Sequence, residues 1–265
     1  MDGKVNNFRF KKKFGQNFLN NDSILQKIID NVNCTDNNLI IEIGPGAGAL
    51  TKYLKGLNKN LLLYEVDKDT KTYLKKLLDN KTKLIYKDFL EADIEKDISD
   101  FSYDKVSFIA NIPYYITTPI VKKIISSNLN INEIVLMVQK EVAERFSAKC
   151  CSKKYNSLTI FLNYYFDIEQ LFVVTKDNFT PMPNVDSAVV KLIPKKEKLD
   201  IKNEELFFSF INEAFTQKRK TLKNNIKNFD YEKIKKTLEN YHFSQSVRAE
   251  EIPIDIYVEI VNSLI

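Results

Sequence analysis

The chain has 265 residues, of which 44% are hydrophobic and 28% charged, so it contains enough apolar material for a sizeable core and too much for a disordered protein. Its 40 basic and 35 acidic residues give a modest net charge of +5, so the distribution of charge matters more than the total. A single histidine and three cysteines without a CxxC pair argue against zinc sites, disulfide frameworks and Ser-His or Cys-His nucleophiles. We therefore expect no metal.

The apolar runs are too short to cross a membrane. The longest of them, such as 61–63 and 134–138, fall far below the length of a transmembrane helix. The basic N-terminal residues are not followed by an apolar segment, so the sequence does not predict a secretory signal. We expect a cytoplasmic protein that does not bind membranes.

Short apolar runs alternate with amphipathic stretches from about residue 22 to residue 195. Strands are predicted at 39–43, 60–66, 84–86, 106–110 and 133–138, with helices between them such as 49–57 and 68–78. This βαβ alternation predicts a mostly parallel sheet with helices on both faces. Two later runs, 158–166 and 188–192, are predicted to be edge or antiparallel strands that close the sheet.

The pattern changes after Pro194, where a short run of Lys and Glu forms a charged connector. The rest of the chain is predicted to be helical, with segments near 204–216, 218–227, 231–240 and 253–264. We therefore predict two domains, an α/β domain at 1–197 and a small all-helical domain at 198–265.

A glycine-rich turn follows the first strand of the predicted sheet. The strand runs into Gly44-Pro45-Gly46-Ala47-Gly48 and then into a helix, and glycines at such a turn let the backbone approach a ligand closely. A plain tight turn would also explain these residues. The third glycine comes one residue earlier than in GxGxxG, which weakens a dinucleotide interpretation.

Acidic residues follow the next two strands. Glu65 ends the second strand about 20 positions after the glycines, where doubly wound folds hold ribose hydroxyls, and Asp67 is the more suitable helix cap. Asp88 follows the third strand at the same edge of the sheet. Together these strand ends predict a site for a ligand that resembles adenosine.

The fourth strand ends in Asn111-Ile112-Pro113-Tyr114. An ordinary loop could contain Asn-x-Pro, but an amide, a rigid proline and an aromatic ring beside a cofactor suit an exocyclic amine on a flat base. The Asn111 side-chain oxygen and a backbone carbonyl at Ile112 or Pro113 can accept the two amine hydrogens, which makes the nitrogen nucleophilic. Tyr114 can stack on a flipped base.

Seven segments, in the same order along nearly the whole chain, resemble the adenine dimethyltransferases of ribosomal RNA, the KsgA family. They are 14–19, 42–48, 111–114, 139–142, 179–190, 215–222 and 248–250. The resemblance implies a Rossmann-like methyltransferase domain that binds S-adenosylmethionine (SAM). One departure is Tyr115, which replaces the asparagine of the family's Asn-Leu-Pro-Tyr-Asn.

The resemblance also implies roles for individual residues. Asn17, Leu19 and Gly44 are expected to contact SAM, with Glu65 on its ribose and Asp88 on its adenine amine. Catalysis is expected to involve Asn111, which lies between cofactor and target base, together with Pro113, Tyr114 and Phe179. Tyr114 and Phe179 resemble the two aromatic residues that enclose the flipped adenine, and the proline-rich segment after Phe179 suggests an exposed loop. Core packing is the alternative for Phe179.

Positive charge is concentrated in two places. Residues 214–229 contain five basic and no acidic residues, including Lys218, Arg219, Lys220 and Lys223, and residues 4–13 contain five more. Such clusters suit contacts with RNA phosphates, although a solvated helix face is the usual explanation for a single lysine.

The implied activity is dimethylation of the N6 amines of two adjacent adenines in the hairpin near the 3′ end of 16S ribosomal RNA. The implied partner is the immature small ribosomal subunit, and the helical tail shows no heptad pattern, so we expect a monomer. Three alternatives remain: an Erm-type methyltransferase of large-subunit RNA, a non-catalytic RNA-binding relative, and a nicotinamide-dependent dehydrogenase. The dehydrogenase leaves the motif at 111–114 and the basic residues unexplained.

Overall fold

The structure is a computed structural model that describes residues 17–112 and 116–265. Predictions for the basic N-terminal segment, Pro113 and Tyr114 lie outside the described residues. The strands of the described ranges are β1 Phe18–Leu19, β2 Asn38–Ile43, β3 Asn60–Glu65, β4 Thr82–Tyr86, β5 Lys105–Asn111, β6 Ile131–Gln139, β7 Phe166–Val174, β8 Phe179–Thr180 and β9 Ser187–Pro194.

Short and medium α-helices connect and follow these strands. They are α1 Asp22–Asp30, α2 Ala49–Lys55, α3 Lys71–Leu74, α4 Ile94–Ile98, α5 Thr117–Ser126, α6 Lys140–Phe146, α7 Ser157–Tyr165, α8 Glu204–Ala214, α9 Leu222–Asn225, α10 Tyr231–Asn240 and α11 Ile254–Asn262. The predicted helix at 68–78 is divided into 3₁₀ turns on either side of α3.

The main sheet has the strand order β4-β3-β2-β5-β6-β9-β7 among the described strands. Neighbouring strands from β4 to β6 are parallel, and β9 runs antiparallel to β6. Every residue of β2 is buried, as expected for a strand covered on both faces. The predicted parallel α/β sheet and the antiparallel strand at 188–192 are therefore confirmed.

One predicted strand is wrong. Residues 158–166 were expected to be extended, but Ser157–Tyr165 is helix α7, and the strand β7 begins only at Phe166. The Asn156 side chain accepts from the N–H groups of Leu158 and Thr159, and the Thr159 hydroxyl accepts from the Asn156 N–H, which forms a capping box. The helix is apolar on several sides, so the sequence lacks the amphipathic period that identifies a helix.

The helix predicted at 218–227 is also shorter than expected. Only Leu222–Asn225 is α-helical, because the Thr221 side chain caps that turn through the Asn224 N–H and a Gln217–Lys220 turn precedes it. The other three helices predicted after residue 200 are confirmed within a few residues as α8, α10 and α11.

Backbone contacts divide the chain into two compact units. The first is Met1–Ala143 with Glu169–Ile193, and the second is Glu144–Ile168 with Pro194–Ile265. The second unit thus includes residues that precede the boundary predicted near 197, and that boundary stays a prediction. Its buried cluster is rich in aromatic side chains, among them Phe207, Phe210 and Tyr257.

The first unit contains a buried ion pair between two neighbouring strands of the sheet. The Lys191 ammonium on β9 lies 2.9 Å from a Glu133 carboxylate oxygen on β6 and donates to the Asn31 carbonyl at 2.7 Å. The other Glu133 oxygen accepts from the Asn33 N–H. These contacts connect the chain after α1 with strands β6 and β9.

Among the described residues, no helix is long and apolar enough to cross a membrane.

Candidate active site

A cavity of about 320 Å³ lies at the carboxyl ends of β2, β3 and β5. Strand order reverses here, since β3 and β5 flank β2 on opposite sides, and open α/β sheets bind ligands at such a point. Predicted site residues that line the cavity are Asn17, Leu19, Gly44, Glu65 and Asn111. The structure therefore brings together residues that are up to 94 positions apart in sequence.

The glycine turn forms one wall of the cavity and is crowded. A Cβ atom on Gly46 would lie 2.6 Å from the Phe18 ring, and the backbone there has a φ of +57°. Gly48 is the N-cap residue of α2 at φ +83°, and a Cβ atom there would lie 2.4 Å from Leu77. The positive φ favours glycine at both positions, and a larger residue would also require Phe18 or Leu77 to move.

Glu65 is buried at the end of β3 and holds the glycine turn. One carboxylate oxygen accepts from the Gly46 N–H at 2.8 Å, and the other accepts from the N–H groups of Val66 and Asp67. Burial raises the pKa of Glu65 above its ordinary value, although these three donors favour the charged form. The oxygen that binds Gly46 has a second lone pair, which can accept from a ligand hydroxyl. Asp67 caps the following 3₁₀ turn, as predicted.

Asn111 ends β5 and is joined to the N-terminal segment. Its Nδ2 group donates to the Asn17 carbonyl at 3.3 Å, so Oδ1 is the acceptor that this amide offers to a ligand. Both residues line the cavity. The role of Asn111 toward an amine stays a prediction.

Phe179 lies in strand β8, which pairs antiparallel with β1 so that Leu19 is opposite Phe179. Its side chain is only 4% exposed and belongs to the same buried cluster as Leu19 and Val174. Phe179 itself is therefore packed in the core, which is the alternative given above. The residues after it fit the expected exposed loop better, since Met182 is 62% exposed. The role of Phe179 at the base stays a prediction.

Asp88 follows β4, as predicted, and is exposed. Its carboxylate accepts from the Leu90 N–H at 2.9 Å and caps a 3₁₀ turn. It is not among the residues that line the cavity, and its contact with a cofactor stays a prediction. Pro113 and Tyr114 were predicted beside Asn111 and lie outside the described residues.

Among the other residues that line the cavity, three without a predicted role stand out. Glu42 is buried on β2 and accepts from the Thr51 hydroxyl at 2.7 Å, and burial raises the pKa of its carboxyl to about 8. Phe18 packs on the glycine turn, and the apolar Val66 directly after Glu65 remains 46% exposed. An acid inside an otherwise apolar strand was the available signal for Glu42.

The predicted RNA-binding residues lie in the second unit and are exposed. Lys218, Arg219 and Lys220 occupy the turn before α9, and Lys223 lies within it, with its ammonium 5.3 Å from the centre of the Tyr231 ring. The Lys218 ammonium donates to the Lys153 carbonyl. Within the described ranges no group of three or more His, Cys, Asp or Glu residues is placed to hold a metal ion.

Comparison with known proteins identifies several similar chains. The family described as ribosomal RNA adenine dimethylase matches residues 7–265. The chain is 43% identical to ribosomal RNA small subunit methyltransferase A of Fusobacterium nucleatum, over 96% of this chain and 97% of that protein. It is 45% identical to the protein of the same name from Bacillus pumilus, over 83% of this chain and 77% of that one.

Solved structures show the same fold. A dimethyladenosine transferase from Plasmodium falciparum aligns with a TM-score of 0.76 at 26% identity, covering 91% of this chain and 95% of that one. The 23S rRNA methyltransferase ErmE aligns with a TM-score of 0.73 at 21% identity, covering 94% and 99%. Because the family match extends over almost the whole chain and is accompanied by relatives above 40% identity, the chain belongs to the ribosomal RNA adenine dimethylase family.

Proposed function

We propose that the protein is a SAM-dependent enzyme that dimethylates the N6 amines of two adjacent adenines near the 3′ end of 16S ribosomal RNA. Family membership and the names of the relatives support the substrate and the reaction. The observation that carries the proposal in this chain is the meeting of Asn17, Glu65 and Asn111 around one cavity.

The cavity residues fit SAM. Gly44 and Gly46 line the cavity without side chains of their own, and Glu65 retains acceptor capacity for ribose hydroxyls. Val66 offers an apolar contact for a base beside the ribose position. Bound SAM supplies a methyl group on a positively charged sulfur.

The protein's own contribution is positioning and electrostatics. Asn111 Oδ1 accepts a hydrogen from the adenine amine and draws the nitrogen lone pair out of conjugation with the ring, while Asn17 holds the amide in place. Pro113, Tyr114 and Phe179 are assigned to orienting the base. No general base is required, because the methylated nitrogen is acidic enough to lose its proton to water.

The second unit is proposed to hold the RNA. Four exposed cations form what we call the basic patch: Lys218, Arg219, Lys220 and Lys223. Phosphate contacts of this kind position RNA without reading its sequence. We assign this role to the helical domain at 198–265, and we propose that the protein acts as a metal-independent monomer on immature small subunits in the cytoplasm.

A methyl-transfer assay tests the proposal. The protein is incubated with labelled SAM and either undermethylated small subunits or protein-free large-subunit RNA, and the nucleosides are then identified. We expect labelled dimethyladenosine from the small subunit only. Label confined to large-subunit RNA would instead identify an Erm-type enzyme, and SAM binding without transfer would indicate a non-catalytic RNA-binding protein.

A further inference from the structure

Residues 17–21 contribute both to the cofactor cavity and to the short pairing of β1 with β8. Asn17, Phe18, Leu19 and Asn20 line the cofactor cavity, and Phe18 packs on Gly46. The same segment forms β1, which pairs with β8. A ligand that moves or fixes residues 17–21 therefore affects both the cofactor cavity and strand β8.

Contacts to residues 178–180 secure the far side of the segment. The Asn20 N–H donates to the Asn178 carbonyl at 2.9 Å, and the Asn20 side-chain amide donates to the Thr180 hydroxyl. The Asn21 amide donates to the Asn178 side-chain oxygen at 2.8 Å. The bonded residues Asn178 and Thr180 flank Phe179 in sequence, and Phe179 is opposite Leu19 in the register.

Asn111, the residue proposed to receive the adenine amine, is joined to the same segment, because its side-chain amide donates to the Asn17 carbonyl. Three parts of the site thus depend on one short stretch of backbone: the glycine turn, the amide that receives the base, and the strand with Phe179. Of the residues that make the contacts between 20–21 and 178–180, Asn20 lines the cavity, whereas Asn21, Asn178 and Thr180 do not.

We propose that segment 17–21 couples the cofactor cavity to Phe179, with Asn20 and Thr180 as positioning residues, so that cofactor binding strengthens binding of the RNA substrate. The inference rests on the proposed function and adds the coupling between its two ligands. Since coupling free energies are reciprocal, RNA strengthens cofactor binding by the same factor.

The test compares RNA affinity with and without the non-reactive product S-adenosylhomocysteine. We expect that saturating S-adenosylhomocysteine tightens binding of undermethylated small subunits by about 5-fold or more in the unaltered protein. In Thr180→Val, which removes the acceptor of the Asn20 amide at a residue outside the cavity lining, this ratio should fall close to 1 while the Kd for S-adenosylhomocysteine changes by less than about 3-fold. Asn20→Ala, which removes the donor of the same bond, should lower the ratio as well.

Two controls separate positioning from a general loss of structure. Thr180→Ser retains the hydroxyl that accepts from Asn20 and should restore the ratio, and Asn184→Ala alters an exposed residue of the same loop and should leave it unchanged. An unchanged ratio in Asn20→Ala and Thr180→Val would overturn the coupling, as would the absence of any tightening in the unaltered protein. Failure of the unaltered protein to bind S-adenosylhomocysteine would overturn the proposed function and the coupling together.

Discussion

In the proposed mechanism, a single hydrogen bond to Asn17 prepares the Asn111 amide for its role. The Nδ2 group is engaged by a backbone carbonyl, so the orientation of the amide and the availability of its oxygen are set before a base arrives. Such preorganisation is worth most in a site from which water is excluded.

Replacement of this amide gives the first prediction. Asn111→Ala should lower the methyl-transfer rate by on the order of 100-fold or more, because it removes the acceptor that polarises the amine. Asn111 is also expected to contact the cofactor, but SAM binding should remain measurable by calorimetry, and Asn111→Asp, which retains an oxygen acceptor, should keep more activity than the alanine variant. Normal turnover by Asn111→Ala would remove this residue from the mechanism.

Glu42 gives a prediction about pH. Burial raises the pKa of its carboxyl from 4.5 to about 8, so the folded protein binds a proton that the unfolded chain loses near pH 4.5. The stability associated with this proton is complete below pH 4.5 and decreases as the pH rises to about 8. Glu42→Gln, whose amide oxygen can still accept from Thr51, should remove that decrease.

Urea denaturation at pH 5 and pH 9 measures the difference. The two proteins should be similar at pH 5, and the variant should be more stable by a few kcal/mol at pH 9, since each pKa unit is worth about 1.4 kcal/mol. An equal pH dependence in both proteins would show that Glu42 titrates normally.

Among the elements, the central strands were predictable, whereas helix α7 and the pairing of β1 with β8 were not. Strands β2 to β6 are apolar runs separated by polar and amphipathic segments, with one glycine-rich turn after β2, so composition and spacing identify them. Helix α7 depends on a capping box at Asn156 and on tertiary burial, neither of which changes its apolar composition. The pairing of β1 with β8 depends on residues 160 positions apart, which no local pattern encodes.

The same distinction applies to the candidate site. Glu65 and Asn111 were found because they stand at strand ends, where parallel topology dictates a shared edge. Core packing of Phe179 was considered only as the alternative, because the prolines that follow it predict a loop while strand β1, which pairs with it, is distant in sequence.

The turn before α9 gives the third prediction. Replacing Lys218, Arg219 and Lys220 with Gln should weaken RNA binding and reduce the slope of log K against log salt by about 2 to 3, since each phosphate contact contributes about 0.7 to 0.9. A matched control is Lys233→Gln with Lys236→Gln, two exposed residues of α10. Equal slopes in all three proteins would mean that the basic patch only faces solvent.

At the scale of the whole molecule, the buried pair of Lys191 and Glu133 makes the first unit sensitive to single changes. Lys191→Met should lower the free energy of unfolding by about 3 to 5 kcal/mol, because Glu133 would then be a buried charge without its partner. The double variant with Glu133→Gln should recover much of this loss, as the glutamine can still accept from Asn33.

Chemical denaturation provides the measurement, and an exposed pair provides the comparison. Lys83 and Asp100 form an ion pair 2.9 Å long with side chains that are 37% and 78% exposed, so Lys83→Met should cost less than about 1 kcal/mol. A similar loss for the two lysines would contradict the argument from burial.

The pairing of β1 with β8 also determines when a growing chain can complete the site. At about 5 to 20 residues per second, the ribosome adds the 160 residues between Asn20 and Thr180 in roughly 8 to 32 s. Until then the newly made cavity residues have no β8 to pair with, although the glycine turn and Glu65 have already been synthesised. The pairing of β1 with β8, and with it the proposed coupling of cofactor and RNA, can therefore form only late in translation of the chain.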